Sequence, residues 1–244
     1  RIEGADGDAV AEQALGQREA EHAALVEIES LLAEPSEAGL QQSLSDFFAA
    51  LSDLAGYPTD LTSRRAVLEQ GRALAEDFNR LAAGLADMQR NAEAELAHVA
   101  ADANRLIAEL GGLNAQIQAV TVAGGSPNAL MDQRDRELGE LARLVGIVRT
   151  DRDDGSVQVS LAGGGGVLVD GSAIGALAVR LSAVTGDCEL TLGDAAVTPA
   201  GGRMAGLLRV RNDRGEYVQY VRAQLDTLAA SLIQHMNRLQ AAGA

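Results

Sequence analysis

The sequence contains no lysine, because all 20 basic side chains are arginine, and these stand against 35 acidic ones. The absence of lysine excludes the phosphate-binding loop of P-loop enzymes, whose lysine reaches the terminal phosphates, and any Schiff-base mechanism. Cys188 is the single cysteine, so no intrachain disulfide and no multi-thiolate zinc site can form. We interpret Cys188 as an ordinary small residue.

Aromatic residues are also scarce: they make up 2% of the chain, tryptophan is absent, and yet 47% of the residues are hydrophobic. The apolar content is therefore mostly alanine, leucine and valine, which suits close helix packing better than an aromatic-lined ligand pocket. The formal net charge of -15 would repel a phosphate backbone. Nucleic acid is not an expected partner, and no cofactor is expected.

Long hydrophobic runs are missing as well. No stretch of about 18 consecutive apolar residues occurs, and residues 1–30 carry acidic side chains throughout instead of a basic end followed by an apolar segment. The sequence therefore predicts neither a membrane span nor a cleaved signal peptide, and no membrane partner is expected.

Residues 66–120 predict one long helix, because they lack proline and carry apolar side chains at alternating spacings of three and four. At a rise of 1.5 Å per residue such a helix is on the order of 80 Å long, which predicts a rod. The apolar positions are Leu74, Phe78, Leu81, Leu85, Met88, Ala92, Leu96, Val99, Ala103, Leu106, Leu110, Leu113, Ile117 and Val120. A stripe this narrow requires partner helices.

Two further segments have matching periodicity. The first runs from Leu40 to Leu54. Pro35 and Ser36 predict the start of its helix, and Gly56 and Pro58 predict its end. The second is predicted as a helix over roughly 212–242, and it could lie along the long helix. Its apolar stripe comprises Val221, Leu225, Leu228, Leu232, Met236 and Leu239.

The segment 124–127 interrupts the helical pattern with two glycines, a serine and a proline, and Asn128 is a plausible cap for another helix. From residue 145 to about 199 the period becomes twofold, which is typical of strands. Residues 147–170 are predicted as a small β-meander with turns at 153–155 and 163–166, and shorter strands are predicted around 177–181 and 189–192.

Together these patterns predict a mainly α fold with a small β insert: an elongated antiparallel long-helix bundle plus a short β-meander. We predict three parts, namely a long-helix bundle over 1–146, a small β-rich insert over 147–205, and a returning helix over 206–244 that packs on the bundle.

Several residues could carry chemistry, but each has a plainer interpretation. Asp151, Asp153 and Asp154 suggest calcium, yet an EF-hand loop starting at Asp151 requires glycine and glutamate where Ser156 and Ala162 stand. These aspartates are therefore interpreted as turn residues. The glycines 163–166 could cradle an anion, but no helix start follows them, which favours a flexible hairpin loop.

Histidines and a serine give equally weak signals. His22, His98 and His235 lie far apart in predicted helices, without metal-binding spacing, and are expected on helix surfaces. Ser126 comes nearest to a nucleophile elbow, but Asn128 occupies the second glycine position and no strand leads into the turn. The sequence therefore predicts no catalytic, cofactor-binding or metal-binding residue, and partner-binding residues are left open.

A charged cluster over 132–137 is typical of a solvated helix face, but its order is familiar. The string P-N-A-L-M-D-Q-R-D at 127–135 resembles a signature of bacterial flagellar hook-associated protein 1. Further strings agree in order and spacing with that family: E-P-S-E-A-G-L at 34–40, D-F-F at 46–48, D-D-G-S-V at 153–157, L-V-D-G at 168–171, G-L-L at 206–208 and Q-L-D-T-L-A at 224–229. The resemblance covers nearly the whole chain from about residue 28, although Gln240 replaces a usual histidine.

The resemblance implies a non-catalytic structural subunit at the junction between hook and filament of the bacterial flagellum, outside the cell and exported without a cleaved signal peptide. The implied partners are further copies of itself, the hook protein, a neighbouring hook-associated protein and an export chaperone that binds a terminal region. It also implies that the chain is a core fragment without the family's terminal helices. The alternative is a coiled-coil adaptor or sensor module that binds a soluble protein, and an enzyme is the third hypothesis.

Overall fold

The structure, a computed structural model, describes residues 2–32 and 39–242. The described residues form helices α1 (Ile2–Leu32), α2 (Leu40–Gly56), α3 (Leu61–Val122), α4 (Asn128–Leu144), α5 (Gly202–Asn212) and α6 (Val218–Ala242). Between α4 and α5 lie strands β1 (Ile147–Asp151), β2 (Val157–Leu161), β3 (Val167–Asp170), β4 (Ala173–Ile174), β5 (Leu177–Leu181), β6 (Cys188–Leu192) and β7 (Ala195–Val197). The predicted fold class, mainly α with a small β insert, is confirmed.

The long helix predicted over 66–120 is also confirmed, and α3 is longer, with 62 residues. Of the fourteen apolar positions in its predicted stripe, all are buried except Phe78 and Val120, which are half-buried. The period of three and four residues therefore identified the side of α3 that the rest of the fold covers.

Two helix boundaries differ from the prediction. Helix α2 begins at Leu40 and ends at Gly56, as the glycine stop predicts, whereas Pro35 and Ser36 lie outside the described residues. The helix predicted over roughly 212–242 is confirmed as α6 but begins only at Val218, because α5 ends at Asn212. The physical reason is that the Asn212 side chain is engaged with Cys188 of β6, which holds the end of α5 in place.

The strands form two antiparallel sheets, with orders β1-β2-β3-β4 and β5-β6-β7. The predicted meander over 147–170 is the first three strands of the first sheet, and its turn Asp153–Gly155 joins β1 to β2. The strands predicted around 177–181 and 189–192 are β5 and β6. Strand β7, which the sequence did not predict, pairs with β6 from Leu190–Val197 to Leu192–Ala195.

The chain divides into two compact units. Unit 1 comprises residues 1–24 and 91–213, and unit 2 comprises residues 25–90 and 214–244. Helix α5 crosses the predicted boundary between residues 205 and 206. The three-part division at 146 and 205 stays a prediction.

Unit 1 contains both sheets, and its core is aliphatic. Leu96, Leu106, Ile107 and Leu110 of α3 are at most 1% exposed, and they belong to one cluster with residues of α4, α5 and all three long strands of the first sheet. Glycines allow the helices to approach closely: a Cβ at Gly206 of α5 would lie 2.6 Å from the carbonyl oxygen of Gln17 in α1. Small residues thus set the distance between α1 and α5.

The described part of unit 2 contains helices and no strand, and it comprises residues of α1, α2, α3 and α6. Leu74, Leu81 and Leu85 of α3 are at most 3% exposed there, and Leu225 of α6 is buried. A cavity of about 400 Å³ opens between α2, α3 and α6 and is lined by Phe47, Leu74, Phe78, Leu232, Ile233 and Met236 among others. The apolar stripe of α6 is thus only partly covered, since Leu228 is 43% and Leu239 65% exposed. Over the described ranges, no helix is long and apolar enough to cross a membrane.

Replacement of Gly206 by alanine should destabilise the protein, because the new methyl group would meet the backbone of Gln17 and the Cβ of Ala20, 2.9 Å away. Such overpacking costs about 1–3 kcal/mol. The matched control is Gly139→Ala in α4, whose Cβ would meet nothing within 4 Å and which should gain about 0.5–1 kcal/mol from helix propensity. We expect opposite shifts of the thermal midpoint. A rise in both variants would show that α1 and α5 are not in close contact.

Candidate structural site: helix amides that hold the strands

The most deeply buried polar group of the described chain is the side-chain amide of Asn114 on α3, which is 0% exposed. Its Oδ1 accepts a hydrogen bond from the backbone N–H of Val157, at 3.0 Å. Its Nδ2 donates to the carbonyl oxygens of Val157, at 2.8 Å, and of Gly171, at 3.0 Å. Both polar atoms of this buried amide therefore have backbone partners.

Asn104, ten residues earlier on the same helix, makes the equivalent contact with the second sheet. Its Oδ1 accepts from the backbone N–H of Leu177, and its Nδ2 donates to the carbonyl oxygen of Leu177, both at 2.8 Å. Leu177 is the first residue of β5, just as Val157 is the first residue of β2. Helix α3 thus holds one strand of each sheet by the same two-bond contact.

Other helices contribute two further amides. Asn212, the last residue of α5, accepts from the N–H of Cys188 at 2.9 Å and donates to its carbonyl oxygen at 2.8 Å. Gln13 of α1 donates from Nε2 to the carbonyl oxygen of Ile147 at 2.8 Å. Cys188 and Ile147 are the first residues of β6 and β1. We call Gln13, Asn104, Asn114 and Asn212 the amide clamps.

The amide clamps lie where a strand loses its neighbour. The register of β2 with β3 places Gly171 opposite Val157, but β3 ends at Asp170, and the Asn114 amide lies between these two residues. The register of β6 with β7 would place Pro199 opposite Cys188, and proline has no N–H to donate. The amides of Asn114 and Asn212 therefore replace hydrogen bonds that a neighbouring strand would otherwise supply.

The same rule explains Asn104. The backbone N–H of Ser182 donates to the carbonyl oxygen of Asp187, and the N–H of Gly193 donates to the carbonyl oxygen of Ala176. The even-numbered residues along β5 therefore make the backbone hydrogen bonds to β6. Because the direction alternates along a strand, the N–H and C=O of Leu177 point away from β6. They would be unsatisfied without Asn104.

The charged string at 132–137 has one buried member. Arg134 is 4% exposed, and its Nη1 donates to the carbonyl oxygen of Gly155 at 3.0 Å. Its Nε and Nη2 bind Asp135, which also accepts from Arg149 at 2.9 Å. Arg149 in turn binds Asp151. The interpretation as a solvated face is therefore wrong for Arg134, which fastens α4 to the turn after β1, while Asp135 links α4 to Arg149 of β1.

Of the aspartates considered for calcium, Asp154 acts as a turn residue. Asp154 accepts from the backbone N–H of Ser156 at 2.9 Å and from its hydroxyl, and Gln118 of α3 also donates to it. The Ser156 hydroxyl, the Ser156 backbone and Gln118 lower the pKa of Asp154. Asp151 binds Arg149 instead. Among the residues that the structure describes, no group of three or more histidines, cysteines or acids could hold a metal ion.

The glycines 163–166 form the turn between β2 and β3, and three of them have a positive φ: 92° at Gly163, 86° at Gly164 and 106° at Gly166. They also bring the two sheets into contact. A Cβ at Gly166 would lie 2.8 Å from a methyl carbon of Leu192 in the second sheet. The run thus serves turn geometry and packing.

The remaining candidates are accounted for individually. His22, His98 and His235 lie exposed on helix surfaces, and the Nδ1 of His235 lies 2.8 Å from the carbonyl oxygen of Ser231. Ser126 is exposed in the turn before α4. Cys188 is buried, and burial raises the pKa of its thiol, which disfavours the reactive thiolate.

A cleft of about 620 Å³ lies beside Cys188 in unit 1. One wall is α5, with Ala205, Leu208 and Asn212, and the other is the segment 196–200, with Leu190 at its base. Ion pairs fasten the same helix to its neighbours: Arg209 binds Glu21 of α1 at 3.0 Å, and Arg211 binds Glu93 of α3 at 2.7 Å. These contacts make α5 the link between helices and the second sheet.

With this geometry established, comparisons identify the family. The sequence model described as the flagellar hook-associated protein FlgK helical domain matches residues 25–244. The chain belongs to the FlgK family. Two curated relatives, both named flagellar hook-associated protein 1, are those of Bacillus subtilis, 35% identical over 141 residues and 57% of this chain, and of Salmonella typhimurium, 32% identical over 166 residues and 67% of this chain.

A solved structure agrees in fold. The structure of the flagellar hook junction protein FlgK from Burkholderia pseudomallei matches 80% of this chain, which covers 37% of that one, with a TM-score of 0.66 and 22% identity. The chain spans less than a third of the curated relatives' length, with 28% for Bacillus subtilis and 29% for Salmonella typhimurium. Family membership and the FlgK fold are thus established for this segment.

Removal of the most buried amide should cost more stability than any other single polar change in this FlgK-family domain. Asn114→Ala would leave the N–H and C=O of Val157 and the C=O of Gly171 without partners, at about 1–3 kcal/mol per buried group. The matched control is Asn91→Ala, an exposed asparagine on the same helix, which should change stability by less than about 0.5 kcal/mol. Urea unfolding measures both variants, and equal midpoints would contradict the importance of the clamp.

The facing carboxylates of α3 and α4 should make stability depend on pH. Burial, together with the carboxylates of Glu109 and Glu140, raises the pKa of Glu137. The folded state therefore binds this proton more tightly than the unfolded state, so the contribution of Glu137 to stability is lost as pH rises through the raised pKa. Glu137→Gln should increase the free energy of unfolding at neutral pH and lose this advantage below about pH 4, near the unfolded value.

The control for that change is Glu29→Gln, which removes one carboxylate from an exposed position of α1. It should leave the unfolding midpoint nearly unchanged at both pH values. If Glu137→Gln stabilised the protein equally at neutral and at acidic pH, the effect would come from packing or helix propensity and not from the proton.

Proposed function

We propose that this chain is part of a structural subunit of the bacterial flagellum that assembles at the junction between hook and filament. The match of the FlgK family over residues 25–244 carries the proposal. The shared name of the curated relatives, flagellar hook-associated protein 1, and the description of the Burkholderia pseudomallei protein as a hook junction protein support the same place in the organelle.

The internal construction supports a structural role. In unit 1, four helices hold strands and a turn by polar side chains: the amide clamps reach the first residues of β1, β2, β5 and β6, and Arg134 of α4 binds the turn between β1 and β2. Directional hydrogen bonds of this kind define one arrangement of helices and sheets, whereas aliphatic contacts alone tolerate several. A subunit that repeats in an ordered assembly requires one reproducible shape.

The proposed partners follow from the family. They are further copies of the same protein, the hook protein, a neighbouring hook-associated protein, and an export chaperone that recognises a terminal region. In a tubular assembly the contacts between copies are heterologous, so that each subunit uses two different patches. We propose an extracellular location in the flagellum, with export that does not involve a cleaved signal peptide, and we propose no catalytic role. No finding favours the adaptor alternative.

Deletion of the gene that encodes this chain in its host tests the proposal. We expect cells that retain hooks, lack filaments and release unpolymerised flagellin into the medium, because filament growth needs the junction. The measurement combines electron microscopy of the cells with immunoblotting of flagellin in the supernatant. A plasmid copy of the gene should restore the filaments, and normal filaments in the deletion strain would refute the junction role.

A further inference from the structure

We propose that Asn104 and Asn114 set the axial register of α3 against the two sheets of unit 1. In this view the two amides select one position of the helix along its axis, in addition to the stability that they contribute. The proposal concerns the fold of this chain and holds whether or not the flagellar role is confirmed.

The apolar stripe of α3 does not by itself define the register. From Leu96 to Val120 it repeats every seven residues, so a displacement of α3 by seven residues towards its C-terminal end, about 10 Å along its axis, leaves apolar residues at the stripe sites from Val99 to Val120. Such a displacement brings Leu96 to the site of Ala103, Val99 to that of Leu106, Leu106 to that of Leu113, and Leu110 to that of Ile117. A heptad pattern is degenerate under this shift.

The two asparagines remove the degeneracy. After the same displacement the sites of Asn104 and Asn114 would hold Ala97 and Ile107, and after the opposite displacement they would hold Gly111 and Thr121. None of these residues has a side-chain amide. Because the asparagines are ten residues apart and ten is not a multiple of seven, neither one can take the place of the other in a register shifted by one heptad.

Loss of the two side-chain amides would destabilise the contact of α3 with both sheets. The N–H and C=O of Leu177 and of Val157 would lose their side-chain partners together, and buried backbone groups without partners strongly disfavour a structure. A single buried asparagine is known to define the register of coiled coils by this mechanism. In unit 1 the partner is strand backbone instead of a second asparagine.

Two other features depend on the register and compete as explanations. The buried sites of Leu96, Ala100 and Ala103 would receive Gln89, Glu93 and the larger Leu96, and the ion pairs Glu93–Arg211 and Glu95–Arg203 would be lost. Neither feature involves the asparagines. Substitution of the asparagines alone therefore separates the two explanations.

The experiment measures the distance between α3 and the first sheet in the 244-residue chain. Ala101 of α3 and Thr150 of β1, which are both exposed, are replaced by cysteine and spin-labelled in a Cys188→Ala background. Pulsed electron spin resonance then gives the distance distribution. The parent should give one distance, whereas the variant with Asn104→Leu and Asn114→Leu should give a second population shifted by up to about 10 Å, because both registers then lack the same polar partners.

The matched control is Leu106→Ala, which removes a buried side chain of the same helix and destabilises the core without touching the amides. It should retain the single parental distance. If the double leucine variant folds with the parental distance alone, then volume and ion pairs set the register and the proposal is overturned. If the double variant does not fold, Asn104→Leu and Asn114→Leu are measured singly, and an unshifted distance in both overturns the proposal in the same way.

Discussion

The requirement that strand backbone groups be satisfied where no neighbouring strand is available shapes unit 1. Two sheets of four and three strands have many edges relative to their size, and several of these edges lie against helices, away from water. At Val157, Leu177 and Cys188 an asparagine side chain supplies both a donor and an acceptor. The helices therefore complete the sheets as well as cover them, and the placement of α1, α3 and α5 follows from this.

The scarcity of aromatic residues has a structural counterpart. A core of leucine, isoleucine, valine and alanine fills little volume per residue, so the elements must approach one another closely to exclude voids. Glycine makes this possible where backbones meet, at Gly206 between α5 and α1, and at Gly166 beneath Leu192. Because such a core offers few uniquely shaped side chains, the polar contacts carry more of the specificity than they would in a core rich in phenylalanine or tryptophan.

Periodicity predicted α2, α3, α6 and the first meander, because their buried positions follow the periods of 3.6 and 2 that one-sided burial imposes. The amide clamps escaped that reasoning, since asparagine within a helical pattern is ordinarily interpreted as exposed. One signal was present: Ile107, Leu110, Asn114 and Ile117 are spaced by three and four residues, which places Asn114 on the buried side of α3. Its strand partner lies 43 residues away, and only the folded chain shows it. The contact of Asn212 with Cys188 at the end of α5 was missed for the same reason.

The segment 127–135 carries both the family resemblance and a structural contact. Physical reasoning indicated charged residues on a helix, whereas the order of the letters indicated the family. The structure joins the two: Arg134 is buried and binds the carbonyl oxygen of Gly155, which belongs to D-D-G-S-V, another string on which the resemblance rests. Two recognisable segments are thus the two sides of one contact. A motif without catalytic chemistry can still have a definite physical role, because in a structural protein the function lies in the geometry that such contacts define.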